Sequence, residues 1–408
     1  MSNEEVTVSA RLDRARLFIR KAYRKIDPEL PALLEVLEEV GASECWHKHS
    51  TFFDHLHNVY RTLKLWNCPD SIARCGLFHS AYSNSYVNLA IFEPNVDRQK
   101  VRDLIGQEAE ELVHWFCIVP RQELIFDLLV SKYSEEEVGL WASKHPETLG
   151  KAANDKRKVL VPPEGILVKH IRTGEDLLVP RRLIAIFLIL TIADFSDQWY
   201  GWQDSIFGNA NGNLEFSAND GSPLWPGDGK PGLWMPAISR MGLILSQILR
   251  DEEEYQAAEK EQGRELDSRP FSNIEIRAPP ILKHCTEIVS ASDQVQCQNL
   301  YLEALCKKGD GQGHESAKSS LVKAIQYVPY LAEPHIVLAQ ILLTEGKWEE
   351  AQEEASEGLK LLLEWVTQWD KKMPWEGWIS WARVLKMNAE QKTWPKSGWG
   401  INNLGLVK

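Results

Sequence analysis

Apolar residues recur at spacings of three and four along most of this chain, and this periodicity constrains its fold more than any other feature. Three early segments show it: residues 30–41, which stop at Gly41, residues 52–66 and residues 68–82. Such spacing places apolar side chains on one face of an α-helix, and short connections between helices favour antiparallel neighbours. The sequence therefore predicts a mainly α protein that begins with a helical bundle.

Two β-rich runs interrupt the helical pattern. In the stretch RKVLVPPEGILVKHIRTGEDLLVP they flank the turn residues RTGED, and this predicts one small β-hairpin near residues 159–179. A long apolar helix, RRLIAIFLILTIADFSDQW, follows. Residues 201–236 are then dense in Gly, Asn, Pro and Trp, and they are longer than an ordinary connection. This loop is either a lid over a site or a tryptophan-stapled surface loop.

The composition changes again from about residue 251. An acidic run, RDEEEYQAAEKEQGRELDSRP, predicts an exposed helix and then a linker, with prolines following at 270, 279 and 280. We therefore divide the chain into a helical domain at residues 1–250, a charged helix and linker at 251–297, and a third region at 298–408.

The third region repeats with a period of 34 residues. Small and large residues alternate as in a helix-turn-helix unit, and the same order occurs one unit earlier: Ala339, Gly346, Ala351 and Ala355 follow Ala304, Ala317 and Ala324. Residues 298–365 resemble the tetratricopeptide repeat, and tryptophans 375, 378 and 381 are typical of a capping helix. The resemblance implies that this region binds a protein partner or docks on the first domain. A generic helical hairpin is the alternative.

Charge and cysteine content narrow the class of protein. The formal net charge is −12, which argues against nucleic acid or an anionic membrane surface as the main partner. The seven cysteines form no CxxC pair, so reduced thiols in an intracellular, cytoplasmic protein are expected. The first residues lack the apolar core of a secretory signal and no segment has the length of a membrane span. Targeting to an organelle stays open.

Two histidines are predicted to face the same interior. His55 lies on the predicted helix at residues 52–66, and His79 ends the next helix within the motif GLFHS. Neutral imidazoles on adjacent helices can share an ion such as Fe, Mn or Zn. Asp194, in the long apolar helix, would complete the set, because a buried carboxylate requires a partner or a metal. The alternative is that His79 is an ordinary core histidine.

The order of these residues resembles the HD superfamily of metal-dependent phosphohydrolases and oxygenases. That pattern has a histidine on one helix, a His-Asp pair at the end of the next, and a distant aspartate in an Ala-Asp dipeptide; here these positions are His55, His79 with Ser80, and Asp194. The likeness spans about residues 40–200 and is greatest to an uncharacterised HD-like family of plants and bacteria that carries the GLFHS motif. It implies an HD-like helical bundle around a metal site.

Ser80 departs from the pattern, because the superfamily has an aspartate there that ligates or bridges metals. The loss of one anionic ligand puts two-metal chemistry in doubt. His49 and Glu108 are available as substitute ligands, whereas His57 lies on a different helix face from His55. His47 and Cys45, in CWHKH, lack a zinc-ligand spacing and are interpreted as loop residues.

Two functions remain open from the sequence. The first is a binding or scaffold protein that combines a degenerate HD-like metal or ligand site with a protein-interaction region. The second is a metal-dependent HD-type phosphohydrolase or oxygenase that acts on a small polar substrate. Ser80 favours the first function, and the retained His55, His79 and Asp194 favour the second.

Overall fold

The computed structural model describes residues 7–47, 50–83, 90–142, 159–198, 235–263, 270–285, 287–307, 313–396 and 400. Within these residues the protein is mainly helical and has two short antiparallel β-hairpins. The predicted fold class, mainly α, is therefore confirmed. The Trp-rich loop lies outside the described residues except for its last two, so the lid hypothesis stays a prediction.

The α-helices are numbered α1 to α14. Their bounds are Val8–Ile19, Leu30–Glu39, Phe52–Leu65, Asp70–Leu77, Arg98–Ile105, Gln107–Ile118, Glu135–Ala142, Arg181–Gln198, Met235–Glu261, Ala291–Lys307, Gly313–Tyr327, Ala332–Thr344, Trp348–Trp365 and Trp375–Glu390. A π-helix between α6 and α7 spans Gln122–Val130. Strands β1 to β4 span Trp46–His47, Ser50–Thr51, Ile166–Lys169 and Asp176–Val179.

The hairpin predicted near residues 159–179 is present as β3 and β4, which pair from Ile166 opposite Val179 to Lys169 opposite Asp176. A second hairpin, β1 and β2, was not predicted. Its strands have two residues each, too few to show an alternating pattern.

The described residues pack into two compact units. The central unit comprises Glu29–Phe195 and Ala237–Ile288; the flanking unit comprises Met1–Pro28, Ser196–Pro236 and Val289–Lys408. The two ends of the chain therefore belong to the same unit. The domain limits proposed from the sequence stay a prediction.

In the central unit, α4 packs against both α3 and α6. The long helix α8 is buried along nearly its whole length, and its Phe187 ring packs edge-on against Phe116 of α6. Gly106 separates α5 from α6, and its φ of 91° is a left-handed value that glycine accepts at little cost. This core surrounds His55 and His79.

The acidic run after residue 250 is more buried than expected. Glu252 is 5% exposed and accepts hydrogen bonds from Arg181 at 2.7 Å and from Arg182 at 3.2 Å. The two arginines satisfy a carboxylate that the sequence placed on an exposed face.

In the flanking unit, consecutive helices pack as pairs: α10 on α11, α12 on α13, and α13 on α14. The small residues of the repeat pattern, Ala304, Ala317, Ala324, Ala339, Ala351 and Ala355, are all fully buried between them. Gly346 turns the chain between α12 and α13 with a φ of 73°. This packing is repeat-like, as the sequence pattern predicts.

Two further features of the flanking unit bear on the predictions. Trp375 and Trp378 of α14 are buried and donate through Nε1 to the backbone oxygens of Leu362 and Asp370, each at 2.9 Å. Helix α1 packs against α13. Within the described part of the chain, no helix combines the length and the apolar composition needed to cross a bilayer.

Candidate metal centre

His55 is positioned by the first turn of α3. Thr51 caps this helix: its hydroxyl accepts from the N–H of Asp54 at 3.1 Å, and the Asp54 carboxylate reaches back to the N–H of Thr51. Such a reciprocal cap defines where a helix begins. His55 then faces the interior and is 1% exposed.

The motif GLFHS positions His79 directly after α4. At Gly76, an added Cβ would lie 2.3 Å from a Leu63 methyl carbon and 3.2 Å from one of Val59, so the glycine lets α4 lie close to α3. The backbone oxygen of the same Gly76 lies 2.7 Å from His79 Nδ1. Gly76 thus has a packing reason and His79 a hydrogen-bonding reason for its place in the motif.

This hydrogen bond fixes the tautomer of His79. A carbonyl oxygen only accepts, so Nδ1 of His79 carries the proton and Nε2 presents its lone pair. Metal-binding histidines are commonly held in this way, with the second ring nitrogen donating to a backbone oxygen. His79 is therefore presented as a ligand rather than as a donor at Nε2.

Asp194 brings α8 into the group. Its Oδ1 lies 3.2 Å from Nε2 of His55, and one donor atom from each of His55, His79 and Asp194 lies within 4.8 Å of the other two. The two imidazole rings meet edge to face, with centroids 5.4 Å apart. Two ligands that share an ion at roughly 2.1 Å each lie at most about 4.2 Å apart, so donors at the 4.8 Å limit must approach each other by roughly half an ångström. With that small adjustment the buried cluster can hold a metal ion.

Both His79 and Asp194 are in the protonation state that a metal requires. Burial lowers the pKa of His79 from 6.5 to about 4, so the imidazole is neutral at pH 7. Burial alone would raise the pKa of Asp194, but the hydrogen bond from His55 and nearby positive charge outweigh it and lower the pKa from 3.8 to about 2. Asp194 is thus ionised throughout the physiological range.

A buried cation stands beside the cluster. Arg121, at the start of the π-helix, is fully buried, and its guanidinium carbon lies 3.5 Å from the centroid of the Phe116 ring. The same ring meets His79 edge to face at 5.9 Å. The charge of Arg121 helps to lower the pKa of both His79 and Asp194.

The other residues singled out in the sequence lie as follows. Ser80 is buried next to His79 and has no charge to offer an ion. Glu108 is half-buried, accepts a hydrogen bond from the Asn273 amide at 2.5 Å and is not part of the cluster. His49 lies outside the described residues, so its role stays a prediction.

Two residues near the site were not proposed from the sequence. Arg121 follows Pro120 and carries no motif that would identify it. His47, interpreted as a loop residue, lies on β1 with its ring centroid 4.7 Å from that of His55. No pattern in the sequence identifies His47, because β1 has only two residues.

Comparison with known families locates part of this site. Residues 36–121 match the model of a family described as a domain of unknown function, DUF6817. The matched segment runs from α2 to Arg121 and contains His55, His79 and Ser80, whereas Asp194 lies beyond it. No curated protein and no solved structure matches the chain.

Proposed function

We propose that this chain is a metal-binding protein that also binds a protein partner. In this proposal one divalent ion, Fe, Mn or Zn, is held by His55, His79 and Asp194 within an HD-like central unit, and the TPR-like helical pairs of the flanking unit bind the partner. The convergence of three buried donors carries the proposal. The chain would then be a binding or scaffold protein whose central unit binds a metal ion or a small polar ligand.

The donor set fits such an ion chemically. Two imidazoles and one carboxylate are ligands of Fe, Mn and Zn alike. His79 already presents Nε2, and Asp194 is already ionised. To ligate through Nε2, His55 must adopt the tautomer that carries its proton on Nδ1, and the ion then replaces the hydrogen bond from Nε2 to Asp194.

A metal-dependent hydrolase or oxygenase of the HD type, acting on a small polar substrate, is the second candidate. Its supporting observation is the number of protein donors, since three protein ligands leave coordination positions for water or substrate in catalytic sites. A bound ion would supply Lewis-acid or redox chemistry there. Ser80 weighs against a two-metal site because it cannot bridge two ions.

The repeat-like packing supports the protein-binding role. Paired helices with small residues at fixed positions expose one helix of each pair to a ligand, and the packing positions stay constant. A tagged full-length protein should capture a defined partner from a cell extract, and substitutions of exposed residues on α10 or α14 should abolish capture. If such substitutions never reduce binding, the partner does not use these helices.

Metal analysis tests the first part of the proposal. Purified wild-type protein should carry about one Fe, Mn or Zn per chain by mass spectrometry, and a His79→Ala, Asp194→Ala double variant should carry none. His57→Ala is the matched control, because His57 lies on α3 but its ring packs on Phe53. Wild-type protein that takes up no metal under any loading condition would leave His79 as a core histidine.

The second candidate has its own test. Metal-loaded protein should release phosphate from simple phosphoesters or consume oxygen with a small polar substrate, and the double variant should do neither. Loaded protein that is inactive in both assays, yet binds its partner, supports the binding protein alone.

A further inference from the structure

The β1–β2 hairpin lies directly before α3 and folds over its first turn. His47 pairs with Ser50, and the Phe52 N–H donates to the Cys45 oxygen at 2.7 Å, so β2 runs without a break into the capped helix. Neighbouring residues of a strand point to opposite faces. Trp46 is 65% exposed and His47 is half-buried, so His47 occupies the inner face.

The inner face of the hairpin lies against the metal-binding end of α3. The His47 ring is 4.7 Å from the His55 ring, tilted by 43°, and 5.5 Å from the Phe52 ring. Three imidazoles, of His47, His55 and His79, thus follow one another through ring contacts. The nitrogens of His47 are outside the group of donors within 4.8 Å, so ligation requires its side chain to move towards the ion.

We propose that His47 is the fourth protein ligand of the metal site and takes the place of the carboxylate that Ser80 lacks. This inference rests on the proposed metal-binding function. Four protein donors form the closed tetrahedral set typical of structural zinc, in which no position is left for water. A hairpin that carries one of them would therefore close the site when the ion binds.

Titration of metal-free protein with Co²⁺ tests the assignment, because the visible bands of Co²⁺ report its coordination. His47→Phe keeps a ring over α3 but removes the nitrogen donors. It should lower Co²⁺ and Zn²⁺ affinity at least about tenfold, since losing even an outer-shell partner of a ligand costs that much. It should also shift the Co²⁺ spectrum away from the intense tetrahedral form. His57→Phe, made on α3 away from the cluster, should leave affinity and spectrum unchanged.

Replacement of the missing carboxylate gives a second, independent readout. If His47 stands in for the lost aspartate, Ser80→Asp should make it dispensable. The tenfold loss caused by His47→Phe should then shrink several-fold in the Ser80→Asp background. Equal losses in both backgrounds would mean that His47 does not substitute for that ligand.

The outcomes separate this inference from the proposed function. Wild-type protein that binds no Co²⁺ overturns both. Wild-type protein that binds Co²⁺, with His47→Phe matching it in affinity and spectrum, overturns the fourth ligand alone and leaves a three-residue site. Should His47→Phe fail to fold by circular dichroism, His47→Gln, which also lacks the imidazole, replaces it: weaker binding with an altered spectrum supports the fourth ligand, and unchanged binding overturns it.

Discussion

Burial shifts the pKa values of His79 and Asp194, the two titrating residues of the cluster, in opposite directions. Neighbouring groups determine the net shift of each residue. For His79, burial dominates and keeps the imidazole neutral. For Asp194, the hydrogen bond from His55 and the nearby positive charge overcome burial and keep the carboxylate ionised. At neutral pH, His79 and Asp194 are therefore already in the protonation states that binding of a cation requires.

These shifts predict a specific loss of stability in acid for the metal-free protein. Between pH 6.5 and pH 4 the unfolded chain protonates His79 but the folded chain does not, so unfolding binds a proton and stability falls as the pH falls. From a pKa of 6.5 to about 4, the contribution of His79 should fall by about 2 kcal/mol between pH 7 and pH 5. Asp194 adds a further loss only between pH 3.8 and about 2.

Urea unfolding in the presence of a chelator at pH 7 and pH 5 measures this loss. His79→Gln removes the titrating group and should flatten the pH dependence by about 2 kcal/mol relative to wild type. His57→Gln is the control on the neighbouring helix. An unchanged pH dependence in His79→Gln would mean that His79 is not held neutral by burial.

At the residue scale, the sequence identified the site residues that stand out within their own helical segment. His55, His79 and Asp194 could be named because each stands in an apolar helical pattern where a polar side chain requires a reason. His47 and Arg121 could not, because His47 lies on a two-residue strand and Arg121 is linked to His79 only through the ring of Phe116.

At the scale of elements, the contact between α3 and α4 sets the spacing between His55 and His79. Gly76 has no side chain at the point where Leu63 and Val59 of α3 approach it most closely. The same residue provides the oxygen that orients His79. Helix spacing and ligand orientation are thus controlled at one position of the GLFHS motif.

Gly76→Ala should therefore destabilise the protein although alanine is the better helix former. The added Cβ would lie 2.3 Å from a carbon of the fully buried Leu63, and overpacking of this kind costs about 1 to 3 kcal/mol. Alanine recovers up to about 1 kcal/mol of helix propensity, so we expect a net loss of up to about 2 kcal/mol. Chemical unfolding measures it.

Gly139→Ala is the matched control for this substitution. Gly139 lies in α7, is exposed and has no atom within 4 Å of an added Cβ. The control should stabilise the protein by up to about 1 kcal/mol. If Gly76→Ala stabilises the protein as much as the control does, α3 and α4 do not approach each other as closely as the structure shows.

A second prediction at the scale of elements concerns the Thr51 cap of α3. Thr51→Ala removes the hydroxyl that accepts from the Asp54 N–H, and loss of such a cap costs about 1 kcal/mol. Because the first turn of α3 carries His55, the variant should also bind metal more weakly. Ser50→Ala is the control, since the Ser50 hydroxyl donates to the oxygen of the adjacent Thr51 and does not cap α3. Equal stability of the two variants would mean that the Thr51 cap does not stabilise the helix.

Element prediction from sequence succeeded where the periodicity was long. Helices α2, α3 and α8 and the hairpin β3–β4 lie where the pattern placed them. The burial of Glu252 was missed because its partners, Arg181 and Arg182, are about 70 residues away in the sequence.

On the scale of the whole molecule, segments that are distant in the sequence pack into the same compact unit. Residues 1–28 belong to the same compact unit as residues 289–408. Nothing in the sequence of α1 identifies its partner, because an amphipathic helix can bury its apolar face against many surfaces. The packing of α1 against α13 is a tertiary contact that only the structure reveals.

Helix α1 contributes core to the flanking unit through this contact, since its Phe18 is 5% exposed and its Ala15 is fully buried. Phe18→Ala should therefore destabilise that unit by about 3 kcal/mol or more, the usual cost of truncating a buried phenylalanine. Hydrogen exchange followed by mass spectrometry should show faster exchange in α13, the helix on which α1 packs.

Val8→Ala is the control, because Val8 opens the same helix but is 37% exposed and should cost less than about 0.5 kcal/mol. Faster exchange confined to α1 itself in the Phe18 variant would show that α1 only rests on the unit. Faster exchange throughout α12 and α13 would show that the N-terminal helix is an integral part of the repeat-like fold. In that case a fragment that starts at residue 298 lacks part of its own core, and binding experiments on the partner require the full chain.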